Sequence, residues 1–341
     1  MKLRVASLFA GCGGTDLGLI GGFKFLNKVY TKNPVEIVYA NEIDDRVSNI
    51  FEANFDIEVD RCDIRKRGVR LIPDHDILTA GFPCQSFSIL AQNPPRLGIS
   101  DEKGKLFFEI VRIIKGKKPK VVICENVKGL ISANRGKTFP LILKEFEKLG
   151  YTVSYRVLNA SDFGVPQNRE RVFIVCTRND IPHDFIFPSP VCENPNPLSL
   201  ALEDNFDDKY YFSKRAVEGM KKSNRKTKGM MNKGRIQDPS RPCNTVTSHL
   251  AKVTLNGTDP VVKTNGKYRR FTPREVARIQ GFPEKFKLVG SETSQYVALG
   301  NAIPPPVFWH ITRQVLKLLD AHLSPQLQPS HPLQTLCIHR R

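Results

Sequence analysis

Cys84 stands in Gly81-Phe82-Pro83-Cys84-Gln85-Ser86, directly after the apolar run at 76–80. A lone cysteine is usually a buried small hydrophobe. Here Pro83 stiffens the turn and polar Gln85 and Ser86 follow, so the thiol projects from a strand end. A thiolate is a strong nucleophile when basic neighbours lower its pKa from about 8.5. Arg169 and Arg171, in Gln167-Asn168-Arg169-Glu170-Arg171, would supply that field; a surface ion pair with Glu170 is the plainer reading of the same arginines. Glu125-Asn126 ends another apolar run, at 120–124, and places a carboxyl on the same rim.

A second group of residues suits a nucleoside. Gly11, Gly13 and Gly14 follow a short apolar run and let backbone approach a ligand closely. A dinucleotide fingerprint needs Gly or Ala at position 16, where this chain has Asp16, so a nicotinamide enzyme is disfavoured. Glu42 ends the next apolar run, where its carboxylate suits two ribose hydroxyls or, alternatively, caps a helix. Asp63, beyond a short segment at 58–62, is placed to accept from an adenine amino group. An adenosine without a pyrophosphate points to S-adenosylmethionine.

These residues need a frame. Apolar runs at 5–10, 36–40, 76–80, 120–124 and 171–176 alternate with helical stretches, of which 106–114 carries Leu106, Phe107, Ile110, Val111 and Ile114 at helical spacing. Such alternation predicts an α/β fold with a mostly parallel sheet covered on both faces. Ligands bind at the carboxyl ends of such strands, which is where the residues above fall. Five prolines between 182 and 197 mark a boundary, and a basic stretch follows. Thr272-Pro273 reads as a helix start, and Phe308, Ile311, Val315, Leu318 and Leu319 form one apolar stripe near 307–323. The tail 324–341, with three prolines and no acids, is expected to be disordered.

Composition narrows the classes. In 341 residues, 52 Lys and Arg oppose 34 Asp and Glu, a net +18. Residues 209–274 hold 17 of the basic residues against Glu218, Asp238 and Asp259, a local +14 that fits a polyanion partner. The length supports a full core without disulfides or metal. No apolar run of about 18 residues exists, which excludes a spanning helix. The apolar start is too short for a secretory signal, so the cytoplasm is expected. Eight cysteines form no C-x-x-C pair and no Cys/His cluster, so no metal is expected.

In order along the chain, Phe9-Ala10-Gly11-Cys12-Gly13-Gly14, Gly81-Phe82-Pro83-Cys84-Gln85-Ser86-Phe87-Ser88, Glu125-Asn126-Val127 and Gln167-Asn168-Arg169-Glu170-Arg171 resemble the motifs of bacterial DNA (cytosine-5)-methyltransferases. Arg241-Pro242 with Thr245-Val246, and Gly300-Asn301-Ala302-Ile303-Pro304, extend the match to roughly residues 3–320. The resemblance implies a Rossmann-like S-adenosylmethionine-dependent methyltransferase sheet with a smaller, irregular basic target-recognition domain. It divides the chain into a catalytic and cofactor domain at 1–180, a recognition domain at 181–290, a returning piece at 291–323 and the tail.

It also implies roles. Cys84 would attack C6 of a flipped-out cytosine, making C5 able to take the methyl group. Glu125 would hold and protonate N3, with a raised pKa. Arg171 would donate to O2, and Arg169 would help hold the base and Glu125. Phe9 would stack on adenine, with Gly11, Gly14 and Asn301 near the methionine portion. Glu42 would take the ribose and Asp63 the amine, while Ile43, Ile64, Pro83 and Leu106 line the adenosine. Residues 88–105 resemble the loop that closes over DNA, although Pro94-Pro95-Arg96 departs from its usual glycine-rich composition. Lys221-Lys222, Arg225-Lys226 and Lys228 suit phosphates, and Arg235 or Arg241 guanine edges. The implied partner is double-stranded DNA, with a companion restriction endonuclease acting on the same site and a monomeric enzyme.

Three rival readings fit the sequence less well. A tRNA cytosine-5 methyltransferase shares most of these motifs but usually has a shorter, less basic variable region. An inactive DNA-binding protein would have no need to keep Cys84, Glu125 and Arg171 together. Amino-group methyltransferases use a Pro-Pro-aromatic turn where this chain has Pro83-Cys84.

Overall fold

The computed structural model describes residues 2–82, 106–222, 234–251 and 259–323. Pro83, Cys84, the loop at 88–105, Arg225, Lys226, Lys228 and the tail at 324–341 lie outside the described residues. The first elements are β1 (Leu3–Leu8), α1 (Gly14–Ile20), the hairpin β2 (Phe23–Phe25) and β3 (Lys28–Tyr30), β4 (Val35–Asn41), α2 (Asp45–Glu52) and β5 (Ile77–Ala80). Next come α3 (Leu106–Lys117), β6 (Val121–Val127), α4 (Thr138–Lys148), β7 (Tyr151–Asn159), β8 (Gln167–Asn168) and β9 (Glu170–Arg178). The remainder is α5 (Lys214–Lys222), β10 (Cys243–Asn244), the hairpin β11 (Val262–Thr264) and β12 (Lys267–Arg269), α6 (Pro273–Ile279), α7 (Glu292–Asn301) and α8 (Pro305–Leu323).

Six strands form the central sheet in the order β4-β1-β5-β6-β9-β7. The first four are parallel, whereas β9 runs against both of its neighbours. That reversal matters for chemistry. The amino end of β9 lies on the rim where the parallel strands have their carboxyl ends, and Arg171 registers with Val127 of β6. The apolar run at 171–176 marks β9 as a strand but not its direction, and no apolar run marks β7. The β7 segment mixes exposed polar positions with a half-exposed Tyr155, so an edge strand there has no clean apolar run.

Alternate residues of each strand feed two cores. Val5, Ile77, Val121 and Val175 pack with Leu19 of α1 and with Phe308, Ile311 and Val315 of α8. Ala6, Leu78, Val122 and Ile174 pack with Phe107, Ile110 and Ile114 of α3 and with Ile142 and Phe146 of α4. Each large side chain so buried contributes roughly 1.5–3 kcal/mol. These layers hold the rim rigid.

A third core joins the basic part to the first half. Leu198, Cys243, Val246, Phe271 and Val276 pack with Leu299 of α7 and with Val47 and Ile50 of α2. The helix start at Thr272-Pro273 is a capping box closed by Glu275. Glu275 also forms a fully buried pair with Arg269, through two hydrogen bonds of 2.7 Å. Arg269 is therefore committed to the core. Among the described residues, no helix is long and apolar enough to cross a membrane.

Candidate active site

The rim encloses a cavity of about 680 Å³, within the usual range for a small-molecule site. Phe9, Gly11, Gly14, Glu42, Ile43, Asp63, Ile64, Leu106, Glu125, Arg169, Arg171 and Asn301 all line it. Gly81 and Phe82 also face it and lead directly into Pro83 and Cys84.

The turn after β1 carries unusual backbone. Phe9 has φ of 55° and Gly11 of 58°; a bulky residue in that region marks strain of the kind found at ligand sites. Gly14 opens α1, where an added Cβ would lie 2.3 Å from the Ile303 carbonyl oxygen. Only glycine lets the helix start touch the segment returning from α7.

Glu42 follows β4, with Oε2 accepting from the Gly11 N–H at 3.1 Å and Oε1 from the Asp44 N–H at 3.0 Å. Burial pushes its pKa up, opposed by those amides. The cap of α2 is Asp44, which accepts from the Arg46 N–H. That resolves the alternative left by the sequence: Glu42 faces the cavity instead of capping the helix. Ile43 beside it is 62% exposed, an apolar side chain left open at the mouth. Asp63 lines the cavity already paired, because the Arg65 Nε lies 3.0 Å from both carboxylate oxygens and the Arg65 N–H donates as well. The Arg65 side chain holds the Asp63 carboxyl below its ordinary pKa.

Deeper in, Glu125 and Arg171 pair across β6 and β9, Nε to Oε1 at 3.1 Å. Burial raises the Glu125 pKa, and the two nearby arginines, Arg171 first, pull against that rise. Glu170, the surface partner considered for these arginines, instead pairs with Lys128 at 2.9 Å. Arg171 donates to the backbone carbonyl of Glu170 and keeps its Nε on Glu125. Arg169 is almost fully buried, and its guanidinium donates to the carbonyls of Val246, Gly300 and Ala302 at 3.1, 3.2 and 2.9 Å. Burial lowers its pKa to about 9, with Arg171 adding to the effect.

Two further residues support the rim. Asn126 donates from Nδ2 to the Phe82 carbonyl at 2.9 Å, tying the end of β6 to the residue before Pro83-Cys84. Asp16, seen earlier only as a broken fingerprint, is fully buried under the same rim. Its Oδ2 accepts from the Ser7 hydroxyl at 3.2 Å, its Oδ1 has no partner among the described residues, and burial raises its pKa to about 7. Asn126 stands in the Glu125-Asn126-Val127 motif, whereas the sequence around Asp16 gives no sign of its burial.

In the basic part, Arg235 is 3% exposed whereas the Arg241 side chain is 82% exposed. Burial removes Arg235 as a reader of base edges, and Arg241 keeps that option. Among the described residues, no group of His, Cys, Asp and Glu is arranged to hold a metal ion.

Comparison with known proteins fits this geometry. The family model described as C-5 cytosine-specific DNA methylase matches residues 3–317. The chain is 39% identical to the Type II methyltransferase M1.ScrFI of Lactococcus lactis subsp. cremoris, over 94% of this chain and 79% of that protein. It is 38% identical to M.Bsp6I of Bacillus sp. (strain RFL6), covering 92% and 99% respectively. For M.HhaI of Haemophilus parahaemolyticus the identity is 35%, covering 92% and 94%. In fold it resembles the S. pombe Dnmt2 methyltransferase, with a TM-score of 0.74 at 22% identity over 94% of this chain and 100% of that one.

Proposed function

The chain belongs to the C-5 cytosine-specific DNA methylase family, and from that premise we propose that it methylates C5 of cytosine within one double-stranded DNA sequence. In this reading it is the protective methylase of a restriction-modification system, paired with an endonuclease of the same specificity, and acts as a monomer in the cytoplasm. The observation that carries the reading is the Glu125–Arg171 pair in a glycine-lined cavity whose wall includes Gly81 and Phe82, the residues that precede Pro83-Cys84 in sequence.

The cavity suits S-adenosylmethionine. Its wall offers a carboxylate at Glu42, an open apolar side chain at Ile43 and a glycine-lined turn at Gly11 and Gly14. Glu42 takes the ribose hydroxyls; Phe9, Ile43, Ile64, Pro83 and Leu106 enclose the adenine; Asp63 accepts its amine with the lone pairs that Arg65 leaves. Asn301 and the two glycines hold the methionine portion. The bound cofactor supplies an electrophilic methyl group.

The remaining chemistry belongs to the chain. Cys84, as thiolate, adds to C6 of the extruded cytosine. Glu125 places its proton at N3, so charge does not build on the ring, and the burial that raises its pKa favours the protonated form. Arg171 donates to O2 while steadying Glu125. After methylation, loss of the C5 proton expels Cys84. Arg169 positions the wall, and the basic segment at 181–290 reads and grips the duplex, with Arg241 the exposed candidate for a guanine edge.

Methyl transfer to unmethylated plasmid DNA followed by bisulfite sequencing tests this directly. Modified cytosines in one short recurrent sequence are expected. Cofactor binding with no modified DNA would move the substrate to RNA, and no cofactor binding would leave an inactive DNA-binding protein.

A further inference from the structure

We propose that the chain holds a second ligand site, behind the cofactor turn, for a small anionic amphiphile: an acyl or aryl body with one carboxylate or sulfonate head. The inference goes beyond the methyltransferase reading and does not depend on it.

A cavity of about 1040 Å³ opens between the β2–β3 hairpin, the end of α2 and the segment that follows α6. It lies at a seam between two apolar clusters. Phe23, Phe25 and Tyr30 of the hairpin form one, Phe282 and Phe286 belong to the third core, and Leu17 packs against both. Protein interiors keep few voids larger than a water molecule, so apolar walls that face each other across such a gap suit an apolar guest. Val29 and Leu200, 64% and 49% exposed, carry the same surface out to the mouth.

Charge decides what the guest carries. Lys24 and Lys32 belong to the hairpin side and Lys285 to the segment after α6; all three are exposed, and none has an ion pair or side-chain hydrogen bond among the described residues. The acid lining the cavity, Glu284, is already paired with Arg278 at 2.6 Å. Asn54 spends its Nδ2 on the Ile50 and Lys287 carbonyls and its Oδ1 on the Lys287 N–H. The body of a ligand therefore meets rings, and its head meets lysines. That pattern disfavours a nucleotide, whose base and ribose need hydrogen-bond partners along the wall.

The two cavities stay separate. Phe55 and Phe282 line the second one. A Cβ on Gly13 would lie 2.2 Å from Phe55 Cε2, and one on Gly14 3.1 Å from Phe282 Cζ, while Gly14 itself lines the cofactor cavity. A layer of rings divides the cavities, so both can be filled at once.

The test is fluorescence titration of the whole protein, saturated with S-adenosylhomocysteine, with 8-anilinonaphthalene-1-sulfonate. One equivalent should bind, more weakly as salt rises. N-phenyl-1-naphthylamine, the same rings without the sulfonate, should bind about tenfold more weakly. Lys32→Glu with Lys285→Glu should weaken the sulfonate about tenfold or more, and Val29→Glu, which sets a carboxylate at the mouth, should act in the same direction. These positions are exposed, so circular dichroism should be unchanged; if Val29→Glu does not fold, the lysine pair decides. Laurate should displace the sulfonate, and adenosine monophosphate should not. No binding by the wild type, equal binding of the neutral dye, or a constant untouched by the lysine reversals would overturn the site. Release of the sulfonate by S-adenosylhomocysteine would overturn it too, by placing the dye in the cofactor cavity. Displacement by adenosine monophosphate but not laurate would overturn the ligand class. Failure of S-adenosylhomocysteine itself to bind would count against the methyltransferase reading, and the lysine variants would still judge this site.

Discussion

Asp16→Asn should remove the pH dependence that one buried carboxyl imposes on stability. Among the described residues Asp16 Oδ2 accepts from the Ser7 hydroxyl and Oδ1 has no partner, and burial raises its pKa from 3.8 to about 7. The sign runs opposite to the usual salt-bridged aspartate. Because the folded pKa lies above the unfolded one, the contribution of this group is fully present below about pH 4 and is lost as pH rises towards about 7. The gap between 3.8 and about 7, at about 1.4 kcal/mol per pH unit, amounts to about 4 kcal/mol. An amide stays neutral throughout but leaves N–H groups without partners, a cost of roughly 1–3 kcal/mol. The variant should therefore be less stable than the wild type at pH 4 and more stable at pH 8. The assay is urea denaturation of both proteins at pH 4, 6 and 8. A stability difference that is constant across that range would refute the reasoning, because it would mean that Asp16 titrates alike in the folded and unfolded chains.

Other perturbations probe the cavity. Glu42→Ala should weaken S-adenosylhomocysteine binding roughly tenfold to a hundredfold, from the loss of charge-assisted hydrogen bonds, and calorimetry giving an unchanged constant would remove the ribose assignment. Glu125→Gln should lower turnover by roughly 10²-fold or more and flatten the alkaline limb of the rate profile. That limb is expected above 4.5, since burial raises the Glu125 pKa and the active protonated form is lost as pH rises through it. Gly14→Ala places a Cβ against the Ile303 carbonyl and should cost roughly 1–3 kcal/mol in urea denaturation, together with much of the cofactor affinity.

Much of this site is legible in the sequence because chemistry gathers at strand ends. Glu42 and Glu125 stand directly after apolar runs, and the rim rule alone brings them to one cavity. Arg171 is a subtler case. Its segment precedes its strand, and it reaches the rim only because β9 is antiparallel, a reversal that no local pattern encodes. Side-chain partners are less legible still. Asp63 is engaged by Arg65 two residues on, Arg169 spends its donors on three distant carbonyls, and Arg269 leaves the basic face for a buried pair with Glu275. Charge counting treats all such residues as solvated, whereas long-range packing decides which of them are. Gln280 shows the limit: a glutamine just past a short helix gives no sign that its amide links α7 to Gln167.

The central claim is covalent catalysis by Cys84 at the rim that Glu125 and Arg171 define. Its most direct test uses a duplex with 5-fluorocytosine at the methylated position, incubated with S-adenosylmethionine. Fluorine cannot leave as a proton does, so the thioether cannot be expelled. Peptide mass spectrometry should find one DNA adduct, on the peptide containing Cys84, and neither adduct nor methyl transfer with Cys84→Ala. An adduct on another residue, or methyl transfer by Cys84→Ala at an undiminished rate, would contradict the account.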